Sequence, residues 1–422
     1  MTLAEAEALD RADPLAPLRE RFTLPEGVIY LDGNSLGALP KSAAARLQKV
    51  VGEEWGRDLI TSWNKHDWID LPRRVGDRIA PLIGAPPGTV VVSDSISINI
   101  FKLLAAALDT GSGPGLILTE AGDFPTDGYV AQGLASLAGH EHLSGDFHEL
   151  LSGSVRRLSG SVTDVSRPPV TAMSRRPVVV LVTEVNYRTG IRHDMRELVR
   201  RAHDAGATVV TDLCHSAGAL PVDVTATDTD FAVGCGYKYL NGGPGAPYFA
   251  YVAPRHLPGL RQPLSGWMGH AAPFDFSPDY RPAEGIDALR VGTPPILSMS
   301  ALDAALDAFD GIDLAAVKAK ADALFELFVA DLPSGVELLT PRDPTCRGTQ
   351  VSLRHPEAYA VMQALIARGV IGDFRQPDIM RFGLTPLYLR FVDVWRATEI
   401  LRDIIETAAW DRPEFKRRAK VV

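Results

Sequence analysis

The middle of the chain alternates short apolar runs with a helical pattern, and this alternation restricts the fold more than any other feature. The runs GLILTE, PVVVLVTEV and ATVVTD end at or beside an acidic residue, and RHDMRELVRRAHDAG, between the last two, has helical spacing before a glycine. This order predicts an α/β fold with a mainly parallel sheet sandwiched by helices. Ligands of such sheets bind outside the carboxyl ends of the strands, where Asp212 is expected.

The length of the chain and its later patterns indicate more than one domain. A chain of 422 residues is long for a single core. We predict an N-terminal segment over 1–60 that packs with a small domain, a large domain over 61–297 and a smaller α/β domain over 298–422. The last contains a long helical pattern that is broken near Gly311. The stretch from Ser152 to Pro177, rich in Ser, Arg and Pro, predicts a long surface excursion.

Composition argues against several classes of protein. A net charge of −9 gives no basic footprint for nucleic acid. Three scattered cysteines favour neither a disulfide framework nor a metal site. The N-terminus is acidic, and no apolar run approaches about 18 residues. We therefore expect a cytoplasmic protein without membrane or nucleic-acid partners.

One lysine stands apart in a chain that mostly uses arginine. The sequence has 9 lysines and 34 arginines, and Lys238, in VGCGYKYLNGGPG, is the only lysine between Lys102 and Lys318. A loop lysine is usually just exposed, but this one follows a strand-like run and lies among small and apolar residues. Partial burial would lower its pKa and make it a better nucleophile toward a carbonyl. A Schiff base with pyridoxal phosphate is the chemistry that this predicts.

Such a cofactor needs further partners, and the chain offers a candidate for each. Asp212, 26 residues before the lysine, could keep the pyridine nitrogen protonated, and His215 could orient that carboxylate or the ring hydroxyl. SDSISINIF provides a helix start for the phosphate, with Ser93 and Asp94 as possible N-caps. Phe124, in DFPTDGYV, could cover the ring. Each of these features also has an ordinary structural explanation when it is considered alone.

Eight segments in order resemble the kynureninases: YLDGNSLGALP, SDSISINIFKLL, DFPTDGYV, TEVNYRTGIRHD, TDLCHSAGALPVDV, GCGYKYLNGGPGAPYF, GWMGH and RVGTPPILSM. The resemblance runs from about Tyr30 to Arg381, and YLDGNSLG and GWMGH are fairly specific to that family. It implies a pyridoxal-phosphate-dependent transferase fold of type I and hydrolysis of L-kynurenine to anthranilate and L-alanine. Cleavage of the Cβ–Cγ bond would follow aldimine, quinonoid and ketimine intermediates. The choice between kynurenine and its 3-hydroxy analogue stays open.

The resemblance also implies which residues bind the cofactor. The cofactor-binding positions would be Ile96, Ser97, Phe124, Pro125, Thr126, Asp127, Asp212, His215, Tyr237, Lys238, Trp267 and Thr293. Lys238 would hold the cofactor as a Schiff base and move the proton at Cα, and Tyr237 would serve as a second catalytic group. Trp267 and Thr293 would reach the phosphate of the partner subunit. This implies a homodimer with active sites at the subunit interface.

The substrate positions implied by the resemblance are Arg381, Trp68, His270 and Asn34. Arg381 would bind the α-carboxylate, for which a bidentate arginine is well suited, and Trp68 and His270 would lie near the aryl ring. Two alternatives stay open. One is another fold type I enzyme, such as a cysteine desulfurase-like lyase, for which Cys346 is the only candidate nucleophile. The other is a non-catalytic regulator that binds pyridoxal phosphate.

Overall fold

The computed structural model describes residues 1–108, 113–152 and 177–419. Its strands fall into a seven-stranded sheet, a four-stranded sheet and two small two-stranded pairings. The strands are β1 (Phe22–Thr23), β2 (Ile29–Tyr30), β3 (Leu39–Pro40), β4 (Val90–Val92), β5 (Leu116–Glu120), β6 (Glu141–Gly145), β7 (Val178–Thr183), β8 (Ala207–Asp212), β9 (Phe231–Gly234), β10 (Phe249–Val252), β11 (Glu337–Leu338), β12 (Gln350–Arg354), β13 (Val370–Ile371), β14 (Asp373–Arg375) and β15 (Ile379–Gly383).

The helices cover both sheets and the N-terminal segment. They are α1 (Leu3–Ala12), α2 (Lys41–Lys49), α3 (Ser62–Lys65), α4 (Leu71–Ile79), α5 (Ile96–Leu108), α6 (Pro125–Ala138), α7 (Phe147–Ser152), α8 (Met195–Asp204), α9 (Ile296–Ala305), α10 (Leu314–Val329), α11 (Ala358–Ala367), α12 (Phe391–Glu406) and α13 (Pro413–Lys416). Within the described ranges, no helix is long and apolar enough to cross a membrane. The same residues contain no group of three or more His, Cys, Asp or Glu that could hold a metal ion.

The large sheet has the order β4-β10-β9-β8-β7-β5-β6. Its five strands from β9 to β6 are parallel, and β10 runs antiparallel to both of its neighbours. The predicted strands and the predicted helix between them are confirmed as β5, β7, β8 and α8. All six residues of β7 are buried, as expected of a strand with helices on both faces.

Alternate residues of β7 contribute to two separate cores. Val179 and Leu181 pack with apolar side chains of α5 and α6 on one face of the sheet. Val180 and Val182 pack with α7 and α8 on the other face. Because successive strand residues point to opposite faces, one apolar run supplies both cores. The parallel strands are thus held rigidly, and their carboxyl ends meet at one edge.

A smaller antiparallel sheet, β11-β12-β15-β14, lies with α10, α11 and α12 in the last part of the chain. The N-terminal segment is joined to it, since β2 pairs in parallel with β13 and Asp32 forms a bridge with Gly383. The predicted break near Gly311 is confirmed, because α9 ends at Ala305 and α10 begins at Leu314. The excursion predicted from Ser152 to Pro177 lies, from 153 to 176, outside the described residues.

Candidate active site

The site is built where parallel strands of the large sheet end. Thr183 ends β7 and lies beside Asp212, which ends β8. Asp212 is in turn beside Val233 of β9, and the loop that carries Lys238 follows that strand. Asp212 is buried, and its Oδ1 accepts a hydrogen bond of 2.6 Å from the backbone N–H of Cys214. The sheet therefore presents a fixed carboxylate on the same edge as the lysine loop.

Lys238 lies next to the histidine that follows β8. Its Nζ is 3.1 Å from Nε2 of His215, which is buried. Burial and the neighbouring lysine charge hold the pKa of His215 well below its ordinary value, so the ring is neutral and can accept a hydrogen bond from the ammonium group. Tyr237 is half-buried, and its ring meets that of Tyr248 edge-on at 5.6 Å. Burial raises the pKa of the Tyr237 phenol, which is therefore a proton donor near neutral pH.

The expected lowering of the Lys238 pKa is wrong. Burial alone would lower it, but the negative charge of acidic neighbours, Cys235 and Asp212 among them, outweighs burial and raises the pKa above its ordinary value. The physical reason is that the half-buried lysine lies beside acidic side chains instead of among apolar ones. Its amine is an ammonium ion in the free chain and must lose a proton before it can attack a carbonyl.

Two further carboxyls complete what we call the strand-end cluster: Asp123, Asp127, Asp212, His215 and Lys238. Asp127, in the first turn of α6, is buried and lies 3.5 Å from the hydroxyl of Thr183. Burial, followed by the charge of Asp212, raises the pKa of Asp127 well above its ordinary value, and burial raises that of Asp123 to about 7.

Buried polar atoms of this cluster have unmet hydrogen-bonding capacity. Oδ1 of Asp123, Oδ1 of Asp127 and Nδ1 of His215 have no hydrogen-bond partner among the described residues. Burial also raises the pKa of Asp212, so a cation beside it would restore the ionised form. A protonated pyridine ring with polar substituents supplies both the cation and the missing partners. The cluster therefore fits pyridoxal phosphate.

The first turn of α5 offers a place for the phosphate. Its N–H groups lack carbonyl partners within the helix, as at any helix start, and Ile96 and Ser97 lie there. The suggestion that Ser93 and Asp94 cap the helix is wrong. The carboxylate of Asp94 binds Nζ of Lys102 at 2.7 Å, and the hydroxyl of Ser93 accepts from the same amine. The side chains that would have capped the helix are used by a buried lysine.

The Phe124 ring and the first turn of α6 lie near the strand-end cluster, because Asp127 belongs to both that turn and the cluster. Phe124 is the N-cap residue of α6, with Pro125 at its first position, and Thr126 is half-buried in the first turn. The Phe124 ring is exposed and meets the ring of Tyr187 edge-on at 5.2 Å. An exposed aromatic face beside Asp127 is available to cover a planar ligand.

The GNSLG motif of the N-terminal segment lies against the lysine loop. The N–H of Gly37 donates to the carbonyl of Tyr237 at 2.8 Å, and a Cβ at Gly37 would lie 2.3 Å from the Lys238 carbonyl oxygen. Only glycine allows this approach. Asn34 is fully buried, and neither its Oδ1 nor its Nδ2 has a hydrogen-bond partner within the described ranges.

The same motif joins a second group of charges, which we call the arginine cluster: Asp32, Ser35, Asp373, Arg375 and Arg381. Arg381, on β15, is buried and donates from Nε to Oδ1 of Asp373 at 2.7 Å and from Nη2 to the Ser35 hydroxyl at 3.0 Å. Arg375 shares both partners, with its Nη2 2.8 Å from Asp373 and 3.3 Å from Ser35.

The arginine cluster carries more positive than negative charge. Burial alone would raise the pKa of Asp373, but the hydrogen bonds and charge of Arg381 outweigh burial. The net effect is a lowered pKa, so this carboxylate is ionised. Burial, followed by the charge of Asp373, raises the pKa of Asp32 to about 8, so Asp32 is neutral at pH 7. Two guanidinium groups thus face one carboxylate, and a substrate carboxylate would balance the remaining charge.

Within the described ranges, the remaining predicted positions make their hydrogen bonds with residues other than Lys238. The Trp68 indole donates to Glu54 at 2.9 Å, and both nitrogens of His270 bond within its own loop, to Ala272 N–H at 2.9 Å and to the Asp279 carbonyl at 3.2 Å. Trp267 and Thr293 are exposed, and their segments are joined by a hydrogen bond from Met268 N–H to the Val291 carbonyl of 3.3 Å.

Sequence reasoning missed Thr183, Arg375, Asp373 and Ser35. Thr183 could have been found, because a parallel neighbour of Asp212 ends at the same sheet edge. Ser35 and Arg375 are 340 residues apart, and no spacing rule connects them.

The large sheet, the lysine among strand-end acids and the small α/β domain define a class, the pyridoxal-phosphate-dependent enzymes of fold type I. Solved structures share this fold. A cysteine desulfurase CsdA from Escherichia coli has a TM-score of 0.73 at 19% identity and matches 94% of this chain and 98% of its own. A C-DES variant with glycine covalently linked to the PLP cofactor has a TM-score of 0.73 at 18% identity, over 91% and 98% of the two chains.

Sequence relatives identify the family within that class. The family model described as Kynureninase C-terminal domain matches residues 317–401. The chain is 52% identical to a Kynureninase of Burkholderia pseudomallei (strain 1106a), over 100% of this chain and 99% of that protein. It is 47% identical to a Kynureninase of Pseudomonas fluorescens, over 98% of both. The chain belongs to the kynureninase family, which confirms the resemblance, the fold and the cofactor predicted from the sequence.

Proposed function

We propose that the chain hydrolyses L-kynurenine or its 3-hydroxy analogue to L-alanine and anthranilate or 3-hydroxyanthranilate. The observation that carries the proposal is that one motif joins two clusters of different chemistry, buried carboxyls beside one lysine and two guanidinium groups that share one carboxylate. Gly37 binds the lysine loop of the strand-end cluster, and Ser35 binds Arg375 and Arg381 of the arginine cluster. An amino acid bound between them would have its carboxylate toward the guanidinium groups and its amine toward Lys238.

The residues of the strand-end cluster would hold the cofactor and move protons. Bound pyridoxal phosphate supplies an electron sink for negative charge that develops on the substrate carbons. Lys238 would hold it covalently through Nζ and, once displaced by the substrate amine, would take the proton from Cα and return it. His215, neutral and 3.1 Å from Nζ, would keep the freed amine in place by accepting a hydrogen bond. Asp212 would hold the proton on the ring nitrogen.

Hydrolysis needs an acid at the substrate γ-carbonyl, and Tyr237 is our candidate. Its phenol keeps its proton near neutral pH, because burial raises its pKa. It could therefore donate to the carbonyl oxygen while water adds, and take the proton back as the Cβ–Cγ bond breaks. The arginine cluster would fix the α-carboxylate during both steps. Phe124, Pro125, Thr126, Asp127, Ile96 and Ser97 remain proposed cofactor contacts.

We also propose that the protein is a homodimer in which Trp267 and Thr293 reach the phosphate site of the partner subunit. Trp267, Phe274 and Phe276 form an aromatic cluster and are 38%, 60% and 76% exposed. Such a cluster is typical of a protein interface. Trp68, His270 and Asn34 remain proposed substrate contacts, and the division into 1–60, 61–297 and 298–422 remains a proposal.

The experiment that tests the function is a fluorescence assay of anthranilate released from L-kynurenine by the purified protein. We expect Lys238→Ala to lose turnover and the visible absorption of the lysine-linked cofactor, and the exposed-lysine control Lys49→Ala to keep both. Turnover at the unmodified rate in Lys238→Ala would contradict the proposal. The same assay with 3-hydroxykynurenine decides the preferred substrate.

A further inference from the structure

Lys102 is a fully buried lysine that the proposed chemistry does not use. It lies on α5, and its Nζ donates to Oδ2 of Asp94 at 2.7 Å, to the hydroxyl of Ser93 at 3.1 Å and to the carbonyl oxygen of Leu289 at 2.6 Å. An ammonium group has three N–H donors, so all are used. Burying a charge is costly unless it is paired in this way, and an apolar residue would serve as well if only packing were needed.

Two of the three bonds fix the start of α5. Ser93 and Asp94 are separated from the first turn by Ser95 alone, and Ile96 and Ser97 of that turn are the proposed phosphate contacts. Asp94 has a left-handed φ of 53°, which is unfavourable for a residue other than glycine. Its carboxylate is held by Lys102, and its carbonyl accepts from Tyr248 N–H at 3.2 Å. The lysine thus sets the direction of the first-turn N–H groups.

The third bond fixes a different segment. Leu289 ends a short 3-10 turn, and Thr293 follows four residues later. The turn that carries Trp267 lies directly on this segment, because a Cβ at Gly266 would be 2.1 Å from the Val291 carbonyl oxygen. A Cβ at Gly269 would likewise be 2.2 Å from the carbonyl oxygen of Arg290. We call residues 266–269 and 289–293 the crossing unit, since they carry the residues proposed to reach the partner subunit.

We propose that Lys102 is a positioning residue that ties the phosphate-binding turn of one active site to the crossing unit that serves the other. The inference rests on the proposed function, in particular on the homodimer. Lys102 acts through geometry and not by direct contact, since its three donors are occupied within the chain and Asp94 balances its charge. Its loss should weaken binding of the phosphate group and leave binding of the rest of the cofactor unchanged.

The test compares pyridoxal phosphate with pyridoxal, which lacks the phosphate. The holoenzyme is stripped and reconstituted with each compound, and the apparent Kd is read from the visible absorption of the lysine-linked form. We expect Lys102→Met to weaken binding of pyridoxal phosphate about tenfold or more and to change binding of pyridoxal less than about twofold. Equal weakening of both compounds, or of neither, would overturn the inference.

A matched control and a second variant keep the test decisive. Lys320 is also buried, and its Nζ pairs with Asp13 and the Pro386 carbonyl, both at 2.7 Å, away from the phosphate turn. Lys320→Met should leave the ratio of the two Kd values unchanged, and the same selective loss there would overturn the inference. If Lys102→Met does not fold, Asp94→Asn decides, with a smaller but still phosphate-selective loss expected.

The link to the second segment has its own readout. If Lys102 positions the crossing unit, then Thr293→Ala should cost at least about threefold less affinity for pyridoxal phosphate in the Lys102→Met background than alone. Additive effects would overturn the link to Thr293. The proposed function is tested separately, with the unmodified protein. It is contradicted only if that protein does not bind the cofactor through Lys238 or does not cleave kynurenine.

Discussion

The strand-end cluster and the arginine cluster lie against residues only two positions apart in the N-terminal segment, but their ionisable groups differ. The strand-end cluster combines the carboxyls of Asp127 and Asp212 with one amine, that of Lys238, whereas Arg375 and Arg381 share one ionised carboxylate, Asp373. The first region suits a cationic ring and the second suits the carboxylate of an amino acid. We infer from this difference that an amino acid would bind with its carboxylate toward the arginine cluster and its amine toward Lys238.

The two regions also differ in how they are built. Asp212 ends a parallel strand inside the rigid large sheet, whereas Arg381 reaches its partners only if the small sheet and the N-terminal segment are joined. Changes in the strand-end cluster should therefore reduce the rate of the chemical step. Changes in the arginine cluster should weaken substrate binding, because the carboxylate contact is the same in ground and transition states.

The largest effect is expected for Asp212→Asn. Without the carboxylate the ring nitrogen loses its proton and its charge-assisted hydrogen bond, worth about 1.5–3 kcal/mol or roughly 10- to 150-fold in rate. We expect kcat for kynurenine to fall by about this factor, roughly 10- to 150-fold, with a smaller change in KM. The exposed control Asp204→Asn should keep its activity. A kcat within about threefold of that of the original protein would contradict the role given to Asp212 in the strand-end cluster.

The next effect is expected for Arg381→Gln. The change removes a buried guanidinium group, so we expect KM for kynurenine to rise about 10- to 100-fold while kcat changes less than about threefold. Arg354→Gln, on the neighbouring strand and partly exposed, is the matched control and should leave KM unchanged. Thermal unfolding of each variant reports any loss of folding. An unchanged KM in folded Arg381→Gln would show that another residue binds the carboxylate.

A smaller effect is expected from pH at the arginine cluster. Asp32 faces Asp373, Arg375, Arg381 and Tyr30, and its pKa is raised to about 8, above its ordinary value. It is therefore neutral below about pH 8 and ionises above it, where its charge balances the guanidinium groups and competes with the substrate. We expect KM to rise a few-fold from pH 7 to pH 9, and Asp32→Asn to reduce that rise. If KM depends on pH in the same way in the original protein and in Asp32→Asn, then Asp32 does not compete with the substrate.

The pH dependence of stability has the same origin. Because the Asp32 pKa in the folded chain lies above its value in the unfolded chain, the folded state binds the proton more tightly. Its contribution to the free energy of unfolding is therefore present at low pH and is lost as pH rises from about 4 to about 8. Denaturant titrations at pH 5 and pH 8 measure this loss. The free energy of unfolding of the original protein should fall more between the two pH values than that of Asp32→Asn.

Local sequence patterns predicted which residues form the strand-end cluster better than which residues form the arginine cluster. Asp212 and Lys238 follow apolar strands, and parallel strands bring their ends together, so order along the chain was sufficient. The sign of the Lys238 pKa shift was missed, since it depends on which side chains bury the amine. Arg375 and Ser35 meet only through pairing between the small sheet and the N-terminal segment, and Asp94 looked like a helix cap because its lysine partner is a full two turns away.

The central claim is that Lys238 is the residue that holds the cofactor, and it can be tested directly. Borohydride reduction of the holoenzyme would convert the lysine-linked cofactor into a stable amine, and peptide mass spectrometry would locate the modified residue among the 9 lysines. The account predicts the label on Lys238 and its loss when kynurenine is present during reduction. A label on any other lysine, or none on Lys238, would contradict it.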